Sequence, residues 1–128
     1  MKTFWKVLSI VLGLFMIFAG VQHFLNPQFY SVFIPSFLPF TLFIIYASGV
    51  LEILIGLMLL ISKYRYYGAW AMLVLMLIFL PIHIADVFSE TPAIGSKQAA
   101  YIRLPVQFLL IALAWKIKQL QESKTNNL

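Results

Sequence analysis

Residues 48–61 read SGVLEILIGLMLLI, an apolar stretch that carries one carboxylate, Glu52. With the apolar residues before it, the run covers 41–61, close to the ~20 residues that a helix needs to cross the ~30 Å hydrocarbon layer of a bilayer. The small residues on the same helical face as Glu52, within about 100° of arc, are Ser48, Gly49 and Gly56. Small residues let membrane helices approach closely, and a charge at this depth is costly in lipid. The stretch therefore predicts a transmembrane helix whose Glu52 face packs against other helices.

Three more apolar runs of helix length lie at residues 5–24, 68–88 and 101–116. The chain is 62% hydrophobic and only 10% charged, whereas charged residues make up roughly a quarter of a soluble domain. A soluble fold of this length could not bury so much apolar surface, so lipid must cover part of it. The sequence predicts an all-α protein, a transmembrane four-helix bundle that forms a single domain over residues 1–118.

The basic residues predict the orientation of the bundle. Those on the side of both termini are Lys2, Lys6, Lys63, Arg65, Lys116, Lys118 and Lys124. Lys97 and Arg103 would lie on the other side. Because cytoplasmic loops are enriched in Lys and Arg, both termini are predicted to be cytoplasmic. The first run is expected to stay as a span, since Ile17 and Ala19 before Gly20 make a poor signal-peptide cleavage site.

The connection between the first two spans, residues 25–40, is unusual. It contains three prolines, several aromatic residues and no charge. Prolines prevent a long helix, and the aromatic side chains favour a segment that lies in the outer membrane interface. Such a segment would either anchor the bundle at the membrane surface or form a lid over an outward-facing cavity. Residues 119–128 are predicted to be a polar C-terminal tail.

Within each span the polar residues lie on one helix face, and in all four spans they lie in the same part of the predicted membrane. All of them fall in the outer half or at the midplane, with Gln107 and His83 roughly 7–9 Å below the outer boundary and Glu52 roughly 16 Å below it. The predicted pocket residues are Glu52, His83, Gln107, Asp86, Arg103, His23 and Ser48. Four helices thus direct polar side chains toward one outward-opening pocket.

Specific partners can be proposed for the charged groups of this pocket. Arg103 is predicted to pair with Asp86 at the mouth, and Glu52 to bond with Gln107, His83 or Ser48. The alternative is that Glu52 is structural, because interhelical hydrogen bonds also hold membrane helices together, at ~0.6 kcal/mol each on average.

Other kinds of site are less well supported by the residues. His23 and His83 could together hold haem or a metal from separate helices, but two histidines without further ligands are no metal signature, and no metal is predicted. The chain has no cysteine, which excludes thiolate nucleophiles, dithiol chemistry and iron–sulfur sites. Its basic residues form no patch for nucleic acid. No catalytic set is indicated, and no resident cofactor is predicted.

Together these residues resemble the DoxX-like family of small four-helix membrane proteins. The features that match, over about residues 7–116, are Gly20-x-x-His23-Phe24-x-x-Pro27, the pair Pro35 and Pro39, Ser48-Gly49-Val50-x-Glu52 with Gly56, Pro81, and Arg103 with Gln107. The resemblance implies a four-helix bundle in a bacterial plasma membrane. The family is named after a subunit of an archaeal quinol-oxidising complex, and its eukaryotic relatives include a chaperone for nicotinic acetylcholine receptors.

Three functions are compatible with this sequence. The first is an accessory or assembly factor that binds other membrane proteins through its small-residue stripes. The second is a redox-associated subunit that binds a quinone or a similar apolar ligand in the pocket, where an acid beside a histidine could exchange protons with it. The third is a proton-coupled carrier, which would need a homo-oligomer, at least a dimer, because one chain has only four helices.

Overall fold

The computed structural model describes residues 2–126 and is all-helical, with no strand among those residues. The five helices are α1 (Thr3–Leu25), α2 (Pro27–Ser31), α3 (Thr41–Leu60), α4 (Arg65–Phe88) and α5 (Lys97–Asn126), and a 3-10 turn at Ser62–Tyr64 joins α3 to α4. Four of them, all but α2, are long and apolar enough to cross a membrane. The prediction of an all-α protein with four candidate spans is confirmed, and the chain is an integral membrane protein by this criterion.

The helices run further than the apolar runs that predicted them. α4 begins at Arg65 rather than residue 68, and α5 begins at Lys97 and continues to Asn126 through most of the predicted polar tail. Gln, Leu, Glu and Lys are good helix formers, so the polar segment propagates the helix without needing lipid. Residues 127–128 of that tail lie outside the described residues. In the first connection, Pro27 occupies the first turn of α2, where its missing N–H costs nothing.

The four long helices form two close antiparallel pairs, α1 with α3 and α4 with α5. Contacts between α3 and α4 join the two pairs. The first pair is held at backbone contact by glycines. A Cβ atom added to Gly20 would lie 2.6 Å from the carbonyl oxygen of Gly49, and one added to Gly56 would lie 2.5 Å from that of Gly13. Two glycines seven residues apart on α1 therefore face two glycines seven residues apart on α3. The small-residue stripes predicted to mark helix contacts contact each other within this chain.

The two ends of the bundle differ. The short-turn end carries the turn at Ser62–Tyr64, the start of α1 and the far end of α5; the long-loop end carries α2 and residues 89–96. An apolar core fills the short-turn half, where Leu59, Met72, Ala114 and Ile117 are completely or almost completely buried. There Arg65 donates from Nε to the Leu59 carbonyl at 2.7 Å, which satisfies one of the carbonyls at the α3 C-terminus. The long-loop half contains a cavity instead.

Candidate functional site

A cavity of about 320 Å³ lies between the two helix pairs in the long-loop half of the bundle. α1, α2, α3, α4 and α5 all contribute to its wall, together with residues of both loops. Most of the wall is aromatic or aliphatic, and Met16, Met76 and Leu110 line it where it meets the apolar core. The polar lining residues are Gln22, His23, Tyr30, Ser48, Glu52, His83 and Arg103. We call this cavity the pocket.

His23 and Glu52 form the most deeply buried polar pair of the pocket. Nε2 of His23 lies 3.1 Å from Oε2 of Glu52, and the two residues are only 5% and 6% exposed. The contact is within ion-pair distance, although its angle leaves Oε2 without an aligned hydrogen bond. The expected partners of Glu52 were Gln107, His83 or Ser48. That expectation was wrong: the partner is His23, from the helix that the glycines hold against α3.

The contacts of Nδ1, the second ring nitrogen of His23, determine how many protons the His23–Glu52 pair carries. Nδ1 lies 2.9 Å from the carbonyl oxygen of Ile45, and a carbonyl can only accept. Nδ1 therefore carries a hydrogen and donates it. The Ser48 hydroxyl donates to the same carbonyl at 3.0 Å and lies 3.1 Å from Nδ1. An attractive contact between Nε2 and Oε2 then requires one more proton between them, on either the imidazole or the carboxyl group.

The segment between α1 and α3 packs directly on this pair. The ring of Tyr30 stacks on the imidazole of His23 with 3.9 Å between ring centroids and 26° between planes. Burial, and secondarily the nearby Glu52, raise the pKa of the Tyr30 phenol above its ordinary value. Phe33 contacts the ring of His83 edge-on at 6.0 Å. Aromatic residues of the connection thus cover one side of the pocket, and the four long helices with Ile94 of the α4–α5 loop form the rest of its wall.

Two polar side chains on the α4–α5 side of the pocket lack partners. Nδ1 of His83 and Nη1 of Arg103 are buried and accept or donate no hydrogen bond within residues 2–126. Gln107 lies just behind the wall and donates from Nε2 to the Met76 carbonyl at 2.7 Å, while its Oε1 is also buried without a partner. Three buried polar atoms at or beside one cavity therefore lack any polar partner, whereas Oε2 of Glu52 lacks an aligned hydrogen bond but contacts Nε2 of His23.

Asp86 does not bind Arg103, so the predicted pair at the mouth was wrong. Both carboxylate oxygens of Asp86 face the α4–α5 loop instead, and accept from the backbone N–H groups of Ala93 at 2.6 Å and Ile94 at 3.1 Å. The loop folds back over the end of α4, which brings these donors closer than the guanidinium. No ion pair involving Arg103 exists in the part of the chain that the structure describes.

The structure therefore brings together five of the seven predicted pocket residues as lining: His23, Ser48, Glu52, His83 and Arg103. Gln107 lies behind the wall, and the carboxylate of Asp86 accepts hydrogen bonds from the α4–α5 loop. The sequence did not identify Tyr30 and Gln22 as pocket residues, although both line the cavity. Both nitrogens of His23 are already engaged, which argues against its use as an axial haem ligand, and the described residues contain no cluster of three metal-ligating side chains.

Comparison with known proteins gives one family match. The model of a family described as "Domain of unknown function (DUF8561)" matches residues 12–118. The matched region includes the glycine contacts between α1 and α3 and every polar residue of the pocket. No curated protein and no solved structure matches the chain.

Proposed function

The chain belongs to the family described as a domain of unknown function, DUF8561, and we propose that it binds a small apolar ligand carrying polar oxygen atoms. The ligand occupies the pocket, with its apolar body among the aromatic side chains and its oxygens toward the unpartnered polar groups. A quinone or quinol fits this description and was the ligand class that the sequence suggested. This assignment makes the protein a ligand-binding component of the membrane.

The observation that carries this proposal is the group of three buried polar atoms without a polar partner: Nδ1 of His83, Nη1 of Arg103 and Oε1 of Gln107. Folded proteins satisfy the great majority of buried polar atoms, and each one left unsatisfied costs about 1–3 kcal/mol. Here the unsatisfied atoms include a donor, Nη1 of Arg103, and a ring nitrogen, Nδ1 of His83, which can donate or accept, in the wall of one cavity. A ligand carbonyl can accept from Arg103, and a ligand hydroxyl can bond to Nδ1 of His83 or donate to a lone pair of the Glu52 carboxyl group that His23 does not use. An apolar cavity with a few convergent polar groups is the usual form of a small-molecule site.

Co-purification tests this proposal. The protein is purified from membranes in a mild detergent, extracted with organic solvent, and the extract is analysed by mass spectrometry and ultraviolet absorbance. We expect a compound with an apolar body to be retained at a fixed ratio to protein, and Glu52→Gln to reduce its amount. Glu90→Gln is the matched control, because Glu90 is an exposed carboxylate outside the pocket. An extract without such a compound, together with no binding of an added quinone, would contradict the proposal.

The proposed setting is a bacterial plasma membrane with the short-turn end in the cytoplasm. The distribution of Lys and Arg supports this orientation, because cytoplasmic loops are enriched in them. Arg103 lies inside α5 and lines the pocket, so Lys97 is the basic residue nearest the surface at the long-loop end. The pocket would then lie in the outer half of the bilayer.

The alternatives predicted from the sequence have less support than ligand binding. The small-residue stripes that suggested an assembly factor are occupied by the α1–α3 contact, so an assembly role now rests on the resemblance to DoxX-like proteins. A proton-coupled carrier needs a path through the short-turn half, which the apolar core fills. Both remain predictions. A second membrane protein that co-purifies at a fixed ratio would favour the assembly role.

A further inference from the structure

The charges around the pocket can be summed without knowing the protonation state of each group. His23 and Glu52 share one proton beyond the hydrogen on Nδ1, so the pair is neutral wherever that proton sits. Tyr30 is a neutral phenol near pH 7, since its pKa is raised. His83 contributes either zero or a positive charge. Arg103 is always protonated. The titratable groups that line the pocket therefore have a net positive charge, and Arg103 is its source.

No acidic group of the described chain forms an ion pair with Arg103. Glu52 is within ion-pair distance of His23 and not of the guanidinium. Both oxygens of Asp86 accept from loop N–H groups. Nη1 of Arg103 is buried and without a hydrogen bond, which is a costly state for a charged group in a low-dielectric site. A negatively charged ligand group would remove that cost, and a planar guanidinium matches a carboxylate in bidentate geometry.

The volume of the pocket and the residues of its wall limit the size and the polarity of the rest of the ligand. A cavity of about 320 Å³ is at the small end of the range of about 300–1,000 Å³ for small-molecule sites, so a single chain or a compact ring system fits better than a two-chain lipid. Phe15 and Phe18 line the cavity, yet are 47% and 62% exposed on the outside of α1. The pocket thus reaches the surface that lipid covers, and an apolar tail can extend there.

We propose that the ligand of this pocket is an amphiphilic monocarboxylate that enters from the bilayer, with its carboxylate on Arg103 and its apolar body between Phe15, Phe18 and Phe79. One unpartnered guanidinium suits one negative charge, and no lysine lines the pocket to bind a second. The inference rests on the proposed ligand-binding function and specifies the charge of the ligand.

Three probes that differ in the head group or body test this inference. The protein is reconstituted in phosphatidylcholine nanodiscs at pH 8, and apparent affinities for dodecanoate, dodecanol and decylubiquinone are obtained from the rise in the thermal unfolding midpoint with probe concentration. We expect dodecanoate to bind at least tenfold more tightly than dodecanol. We expect Arg103→Gln to abolish this preference and Lys97→Gln, which removes an exposed cation at the same end, to preserve it.

The outcomes separate the inference from the function on which it rests. Equal affinity for dodecanoate and dodecanol in the parent protein overturns the monocarboxylate inference, as does a preference that survives in Arg103→Gln or disappears in Lys97→Gln. If dodecanol or decylubiquinone binds and dodecanoate binds no more tightly, the ligand-binding function is retained and the requirement for a negatively charged ligand is rejected. If none of the three binds, both proposals fail. If Arg103→Gln does not fold, Arg103→Lys is used instead, because it keeps the positive charge but loses the planar guanidinium. A preference for dodecanoate over dodecanol that falls several-fold in Arg103→Lys supports the inference. An unchanged preference contradicts it.

Discussion

At the scale of single residues, the contact between His23 and Glu52 explains how a carboxylate is accommodated in the middle of a membrane helix. Nε2 and Oε2 lie 3.1 Å apart in an almost fully buried environment. With the intervening proton the pair is neutral, which avoids the cost of an unpaired ion, at least ~2.5–3.5 kcal/mol at this depth. The Ile45 carbonyl orients the imidazole from the opposite side. The pair is therefore a preorganised proton-holding group, whatever ligand it faces.

A double-mutant cycle on His23 and Glu52 measures this interaction. Either His23→Leu or Glu52→Leu leaves one buried polar group without its partner, whereas the double variant leaves neither. We expect the double variant to be more stable than the sum of the single effects predicts, with a coupling of about 1–3 kcal/mol. Unfolding by sodium dodecyl sulfate in mixed micelles gives the free energies. Additive effects would show that the two side chains do not interact.

The phenol of Tyr30 gives a pH-dependent prediction. Burial and then Glu52 raise its pKa above the ordinary value, so the folded protein holds the phenolic proton more tightly than the unfolded chain does. The stability that Tyr30 contributes is full below about pH 10 and is lost as the pH rises through the raised pKa. In alkaline titration followed by phenolate absorbance, Tyr30→Phe should remove a component that titrates above the ordinary range. A component removed at the ordinary tyrosine pKa would contradict the burial of this ring.

At the scale of helices, the glycine contacts set the register of α1 against α3. Gly20 lies against Gly49 and Gly13 against Gly56, and this register brings His23 level with Ser48 and Glu52. Helical periodicity in the sequence predicted which face of each helix carries these residues. It could not predict the offset between two helices, which depends on backbone contact, and for this reason His23 was not among the predicted partners of Glu52.

Gly20→Ala tests the backbone contact. The added Cβ atom would lie 2.6 Å from the Gly49 carbonyl oxygen, and a backbone atom cannot move away as a flexible side chain can. We expect a loss of about 1–3 kcal/mol, typical of overpacking, and a weaker His23–Glu52 contact. Val11→Ile is the control, since it adds one carbon to a side chain that is 53% exposed on the lipid-facing surface. Equal stability of the two variants would show that the helices do not meet at Gly20.

The loop between α4 and α5 gives a second prediction at this scale. Asp86 accepts the N–H groups of Ala93 and Ile94 with both carboxylate oxygens, an interaction that sequence reasoning missed because it depends on how residues 89–96 turn back. We expect Asp86→Ala to expose these two amides to hydrogen exchange and to cost about 1–3 kcal/mol. Glu90→Gln, at an exposed position near the same loop, should leave their exchange unchanged. Unaltered hydrogen exchange of these amides in Asp86→Ala would show that Asp86 does not hold the loop through them.

At the scale of the whole molecule, the bundle divides into an apolar half and a polar half. The number of candidate spans and the clustering of polar residues toward one end of the bundle followed from the sequence, because hydropathy and helix length constrain both. The pairing of α1 with α3 and of α4 with α5 leaves the pocket between the two pairs. The sequence alone does not determine that arrangement, since every span has an apolar surface that could face either lipid or another helix.

The orientation of the bundle can be tested directly because the chain contains no cysteine. Thr91→Cys places a thiol at an exposed site on the long-loop end, and Ser62→Cys places one at an exposed site on the short-turn end. If Lys and Arg retain the short-turn end in the cytoplasm, a membrane-impermeant maleimide added to intact bacterial spheroplasts should label Thr91→Cys and leave Ser62→Cys unlabelled. After the membrane is permeabilised, both should react, which controls for access to each thiol. Labelling of Ser62→Cys alone in intact spheroplasts would reverse the topology, place the pocket in the inner half of the bilayer and require its ligand to come from the cytoplasmic leaflet.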